Sequence, residues 1–149
     1  MIISYAKIDE AAISPERANP SDAGADVFAC LDDNIQIEPG SNAVIPTGIK
    51  MEIPHGYMIQ VMNRSSVASK RGLLVGAHVV DAGYEGEIFI NLHNVSDNVQ
   101  EISHGQKIAQ LVMLPIIPFR LCEEEDEDLY YENIVISDRS SGGFGSTGN

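Results

Sequence analysis

Asn42-Ala-Val-Ile-Pro-Thr-Gly-Ile-Lys-Met-Glu-Ile53, then Pro54-His-Gly56, then Tyr57-Met-Ile-Gln-Val-Met-Asn63: two β-prone runs joined by a turn decide the fold. Proline cannot donate to a strand ladder and glycine accepts turn conformations, so the pair punctuates the runs. The pattern recurs along the chain at Ile35–Ile37, Leu73–Val75, Glu87–Asn94, Val99–Ile102 and Lys107–Leu114. Glu38-Pro39-Gly40, Ala82-Gly83 and Ser103-His104-Gly105 separate these runs. Many short strands with regular turn signals predict an all-β antiparallel sandwich or barrel. Asn42–Ile53 reads as one continuous strand. Only Ser66–Arg71 (SVASKR) reads as helix, barely more than a turn.

Length and composition narrow the function. At 149 residues the chain fits one domain with a real core. No apolar run approaches the ~20 residues of a membrane helix, and the start MIISYAKIDE lacks the layout of a signal peptide. Cys30 and Cys122 are too few for a disulfide framework, and neither CxxC nor HExxH spacing occurs. The expectation is a cytoplasmic protein with reduced thiols, no membrane contact and no metal cage. A net charge of −13 excludes nucleic-acid binding through a basic surface, though a few local cations still suffice for one nucleotide. Much of that charge lies in Glu123–Asp128 (EEEDED), read as a solvated linker.

Five segments carry possible chemistry. The last ten residues, SSGGFGSTGN after Arg139, hold Gly142, Gly143, Gly145 and Gly148, a backbone too free to hold shape alone. Ordered over a ligand, Ser146 and Thr147 would wrap phosphate oxygens, Arg139 would pair with their charge, and Phe144 would stack on a flat ring. A plain Gly/Ser tail is the alternative. Asn63-Arg64-Ser65-Ser66, where a strand gives way to the helix, forms either an anion cradle or a simple cap with Ser65 or Ser66 at the helix start. Asp81-Ala82-Gly83 is a tight turn after an apolar strand, so Asp81 serves either turn chemistry or catalysis, with Tyr84 at a pocket mouth. The backbone of that hairpin presents donors and acceptors able to read a pyrimidine edge, and an N–H facing O4 beside a C=O facing N3–H selects uracil. Asp22–Ala29 is an acidic turn entering a strand. Gly105–Leu111 is a turn into a strand that places Gln110 on one chosen face.

Taken in order and spacing, AGADVFA (Ala23–Ala29), RSS (Arg64–Ser66), VVDAGYEGE (Val79–Glu87), GQKIAQL (Gly105–Leu111) and RSSGGFGSTG (Arg139–Gly148) resemble the trimeric dUTP pyrophosphatase (dUTPase) family. The resemblance runs from Ala23 to Gly148. It implies a β jelly-roll homotrimer with C-terminal arm exchange, and hydrolysis of dUTP to dUMP and pyrophosphate with Mg2+. That reaction cleans the nucleotide pool and supplies a dTMP precursor. The implied organisation is a jelly-roll core over 1–121, an acidic linker over 122–137 and an arm over 138–149 that closes a neighbouring site. Asp81 would be the general base that orients water toward the α-phosphorus, and Tyr84 would pack on the deoxyribose. Arg64, Ser65, Ser66 and Gln110 would hold the phosphates, and backbone around Val79, Val80 and Asp81 would read uracil. From the arm, Arg139, Ser146 and Thr147 would clamp terminal phosphates, with Phe144 and Gly145 over the base. Asp26 would stand near the magnesium through water rather than as a direct ligand.

Three positions depart from the family pattern: Asn63 where proline is frequent, His78 where glycine is usual, and Ser140 after Arg139. Asn63 is expected to alter loop rigidity, and His78 either crowds the base pocket or points outward. The related dCTP deaminase, or a bifunctional deaminase/dUTPase, needs a glutamate ten residues after the Asp81 position, where this chain has Asn91. A nucleotide-dependent regulatory binding protein on the same scaffold is the reading from a different class.

Overall fold

The computed structural model describes residues 2–125, with eleven strands and one helix. Its compact unit ends at Pro118, and a second unit begins at Phe119. Two antiparallel sheets make most of the sandwich. The larger contains β2 (Ala25–Phe28), β6 (Tyr57–Met62), β8 (Val79–Val80) and β11 (Lys107–Pro115) in the order β2-β11-β6-β8. The other contains β4 (Asn42–Pro46), β7 (Leu73–Val75) and β9 (Phe89–Asn94) in the order β4-β9-β7. Two-stranded pairs, β1 (Tyr5–Lys7) with β5 (Ile49–Met51) and β3 (Ile35–Ile37) with β10 (Gln100–Ile102), complete the fold. The helix α1 spans Ser65–Arg71. This is the all-β jelly roll expected, with one short helix.

Period-two alternation builds the core. In β9, Ile90, Leu92 and Asn94 are buried while Phe89 is exposed. Ile45 from β4, Ile59 and Val61 from β6, and Ile108, Ala109 and Leu111 from β11 meet them inside. The two buried polar residues of the unit are paired: Thr47 Oγ1 donates to the Ile88 carbonyl at 2.6 Å, and Asn94 Nδ2 donates to the Ile37 carbonyl at 2.8 Å. Among the described residues, no helix is long and apolar enough to cross a membrane.

Several boundaries differ from the sequence reading. The run Asn42–Ile53 is two strands, because the chain turns a corner at Thr47-Gly48. Gly48 has φ +67°, and a Cβ there would lie 2.6 Å from that of Ala12, so only glycine fits. Tyr5–Lys7, not read as a strand, pairs with Lys50 and its neighbours on β5. The helix begins one residue early, with Arg64 rather than a serine at its cap (φ −86°, ψ 132°), and no side chain caps it.

β11 contains the irregularity that matters most to the site. Its register with β2 shifts between Lys107, opposite Phe28, and Ala109, opposite Val27. A bulge of this kind adds one residue and re-aims the side chains beyond it. Lys107 and Gln110, an odd number of residues apart, consequently both face Asp26.

Candidate active site

Strand register brings the first group of predicted residues together. Gln110 on β11 lies opposite Asp26 on one side and Met62 on the other. Just past Met62 the chain leaves β6, and Asn63 and Arg64 lead into α1. Gln110 Nε2 donates to the Asn63 carbonyl at 2.9 Å, and Arg64 Nε donates to Asp26 Oδ1 at 2.7 Å. Gly24 keeps this corner open, since a Cβ there would sit 2.9 Å from both Gln110 Oε1 and the Leu111 carbonyl. Asn63 is firmly held, its Oδ1 accepting the Val75 N–H at 2.7 Å. That tether ties the loop to β7.

Arg64 is so placed that its Nε serves the protein while its two terminal nitrogens have no partner among the described residues. The hydroxyls of Ser65 and Ser66, both exposed, likewise make no hydrogen bond to described residues. The simple cap is therefore not what these serines do. A guanidinium edge and two hydroxyls present together suit the oxygens of a phosphate chain.

Lys107 and Glu16 escaped the sequence reading. Lys107 Nζ lies 2.6 Å from Glu16 Oε1 and 3.1 Å from Asp26 Oδ2, and 5.5 Å from the centre of the Phe28 ring. Hydrogen bonds to Glu16 first, then Asp26, push the Lys107 amine above its ordinary range. Strict alternation sets Lys107 and Gln110 on opposite faces, so only the bulge, invisible in the sequence, reveals the pair.

The second group gathers at the hairpin. Val79, Val80, Asp81 and Tyr84 line a cleft of about 190 Å³ with Ala77 and Phe89. The turn is closed by the Tyr84 N–H donating to the Asp81 carbonyl at 3.1 Å. Tyr84 folds back over Gly86, where a Cβ would come within 2.6 Å of its Cζ, and its hydroxyl donates to the Glu87 carbonyl at 2.7 Å. His78 is exposed and does not line the cleft; its Nδ1 lies 3.0 Å from the Gly76 carbonyl. The outward placement holds, and the cleft is not crowded.

The two groups do not meet within one chain. Val80 pairs with Ile59 and Val79 with Gln60, so Asp81 continues toward Met58 while Arg64 lies beyond the other end of β6. Six residues at about 3.3 Å each separate those ends, roughly 20 Å. Arg139, Phe144, Gly145, Ser146 and Thr147, with the arm they belong to, lie outside the described residues.

Residues 10–148 match the family model dUTPase. The chain belongs to the dUTPase family. The deoxyuridine 5'-triphosphate nucleotidohydrolase of Chlamydia trachomatis serovar D is 40% identical over 146 residues, 97% of this chain and 97% of that protein. Its counterpart in Desulfotalea psychrophila is 42% identical over 128 residues, 85% of this chain and 81% of that protein. Among solved structures, the Staphylococcus bacteriophage 80alpha dUTPase with dUPNHPP superposes with a TM-score of 0.83 at 31% identity, covering 99% of each chain. A mutant dUTPase from phage phi11 of S. aureus, in which a structural Mg(II) ion is coordinated, gives 0.74 at 30% identity, covering 87% of this chain and 100% of that one.

Among the described residues no group of three His, Cys, Asp or Glu side chains is placed to hold a metal ion. Asp26 already has Arg64 on one oxygen and Lys107 on the other. Direct coordination by Asp26 would set a dication against two cations. Each carboxylate oxygen accepts more than one hydrogen bond, so contact through a metal-bound water fits.

Proposed function

We propose that this chain hydrolyses dUTP to dUMP and pyrophosphate in sites shared between protomers of a homotrimer. One observation carries the reading: the register on β6 sends Asp81 and Arg64 to opposite ends of the same strand. Each group is half of a nucleotide site. The Asp26, Arg64 and Gln110 corner suits phosphates, and the Val79–Tyr84 hairpin suits a base and sugar. Protomers around a three-fold axis bring one chain's hairpin against another's corner through a heterologous contact that closes on itself.

In this site the exposed Asp81 carboxylate takes a proton from water and directs the oxygen at the α-phosphorus. Tyr84, seated over Gly86, packs on the deoxyribose and leaves no room for a 2′-hydroxyl. Backbone around Val79 and Val80 reads uracil. Arg64, Ser65, Ser66 and Gln110 orient the phosphates. Mg2+ arriving on the triphosphate, with Asp26 in contact through water, would offset negative charge that opposes attack. Arg139, Ser146 and Thr147 clamp the distal phosphates and Phe144, beside Gly145, covers the base, so that bulk water is excluded.

Deamination of dCTP is disfavoured by Asn91. Its Oδ1 lies 2.9 Å from His93 Nε2 and 3.3 Å from the Ala77 N–H, while Nδ2 donates to Asn42 Oδ1 at 3.1 Å. An amide held in such a network shuttles no proton.

A pyrophosphate-release assay with dUTP, dCTP, dTTP and UTP, with the nucleotide products separated by chromatography, tests the proposal. Turnover of dUTP alone, dependent on Mg2+, is the expected result. Conversion of dCTP to dUTP would make it a deaminase, and tight dUTP binding without turnover would make it a nucleotide-dependent regulator.

A further inference from the structure

We infer that Glu87 is a positioning residue that fixes the sugar-recognising hairpin and thereby sets the preference for a deoxyribose; this rests on the dUTP reading above. Glu87 Oε1 accepts two consecutive backbone N–H groups, from Thr47 at 3.0 Å and Gly48 at 2.7 Å. Consecutive amides converging at a turn form an anion-binding concavity, and the positive φ of Gly48 is what turns them to one side. A carboxylate seated there is held by charge-assisted hydrogen bonds, stronger than neutral ones. The neighbouring residue adds two more ties to the same corner: the Ile88 N–H donates to the Ile49 carbonyl at 2.8 Å, and Thr47 Oγ1 donates to the Ile88 carbonyl at 2.6 Å.

The other end of this anchor is Tyr84. Its hydroxyl donates to the main-chain carbonyl of Glu87, and its own N–H closes the turn on Asp81. The Thr47-Gly48 corner, Glu87, Tyr84 and Asp81 are consequently linked by successive hydrogen bonds. Glu87 also stands in the wall between the hairpin cleft of about 190 Å³ and a neighbouring cavity of about 450 Å³ lined by Asp9, Cys30 and Asp32. Without the carboxylate, that wall opens and the Thr47 and Gly48 amides lose their acceptor. The Tyr84 ring, which leaves no space for a 2′-hydroxyl only while its seat is fixed, gains room to move.

The test compares kcat/KM for dUTP and UTP in the unaltered chain, Glu87→Ala, Glu87→Gln and Glu87→Asp, with thermal denaturation alongside. Glu87→Ala is expected to lower the dUTP-to-UTP ratio by roughly tenfold to a hundredfold, the scale of an ångström-sized misplacement. Glu87→Gln keeps an oxygen that accepts both amides and is expected to retain most of the ratio. Loss of folded protein alone lowers both activities together and leaves the ratio unchanged, so an unchanged ratio in a folded Glu87→Ala overturns the inference. If Glu87→Ala does not fold, Glu87→Asp takes its place, its shorter side chain falling short of the amides. A ratio lowered in Asp but kept in Gln supports the inference, and equal ratios overturn it. Absence of dUTP turnover by the unaltered chain would instead refute the dUTP reading, and this inference with it.

Discussion

Asp26 Oδ1 accepts the Nε–H of Arg64 at 2.7 Å, and the two terminal nitrogens of the guanidinium have no partner among the described residues. The carboxylate is itself held from the far side by Lys107 at 3.1 Å. Arg64 is thus fixed through one nitrogen and offers the others as a planar fork.

Arg64→Lys is expected to keep the charge and lose function. Lysine has no second nitrogen to engage Asp26 while binding phosphate, and it cannot make a bidentate contact. The KM for dUTP should rise roughly 10- to 100-fold, the scale of a lost hydrogen bond to a charged group. Steady-state kinetics check this, and an unchanged KM would remove Arg64 from phosphate binding.

Asp81→Asn should bind dUTP with nearly unchanged affinity and lose turnover by roughly 10²- to 10⁴-fold, because a general base acts in the transition state rather than in the ground state. Calorimetric titration with a non-hydrolysable analogue, together with single-turnover rates, separates the two effects. Near-normal turnover would release Asp81 from the role.

Lys107 gives the protein an alkaline dependence whose sign follows from its partners. Its amine is raised above the ordinary 10.5 by Glu16 and Asp26, so folding holds its proton more tightly than the unfolded chain does. The stabilisation is complete below about pH 10.5 and is lost as pH rises through the raised value. Burial likewise raises the Cys30 thiol above 9.0, so its contribution falls in the same direction at somewhat lower pH. Comparing melting temperatures of the unaltered chain and Lys107→Met at each pH cancels the Cys30 effect. Their difference should be constant up to about pH 10.5 and shrink above it; a difference that grows there would contradict the assignment.

Truncation after Ser137 removes the arm. The expected product is a folded oligomer that turns over dUTP poorly, since the donors Arg139, Ser146 and Thr147 are gone while the sheets remain. Sedimentation and kinetics on the truncated chain report both properties. Wholesale unfolding would make the arm structural.

The sequence disclosed the strands wherever a β-prone run was bounded by turn residues. Ile35–Ile37 and Leu73–Val75 form as read, and Tyr57–Met62 and Lys107–Pro115 differ from expectation by one residue at an end. The corner at Gly48 was signalled only by Pro46-Thr47-Gly48, and the β character of Val44, Ile45, Ile49 and Met51 on either side masked it. Nor did the sequence show that Arg64 rather than a serine caps the helix, since the preference for hydroxyls at that position is a local tendency that tertiary contacts override. At the site, collinear motifs marked Asp26, Arg64, Gln110, Asp81 and Tyr84. Lys107 and Glu87 sat inside the quoted motifs and still went unnoticed, one hidden by a bulge and the other by a main-chain turn 39 residues away from it.

The most direct test is complementation between two inactive variants. Arg64→Ala and Asp81→Asn, each silent alone, are unfolded, mixed and refolded together, and dUTP turnover of the mixed oligomer is measured. A site joining one protomer's hairpin to another's phosphate corner regains intact halves in some combinations, so turnover should return. Mixed oligomers, verified by mass, that stay as silent as either parent would show that both groups must act from the same chain, which contradicts the account.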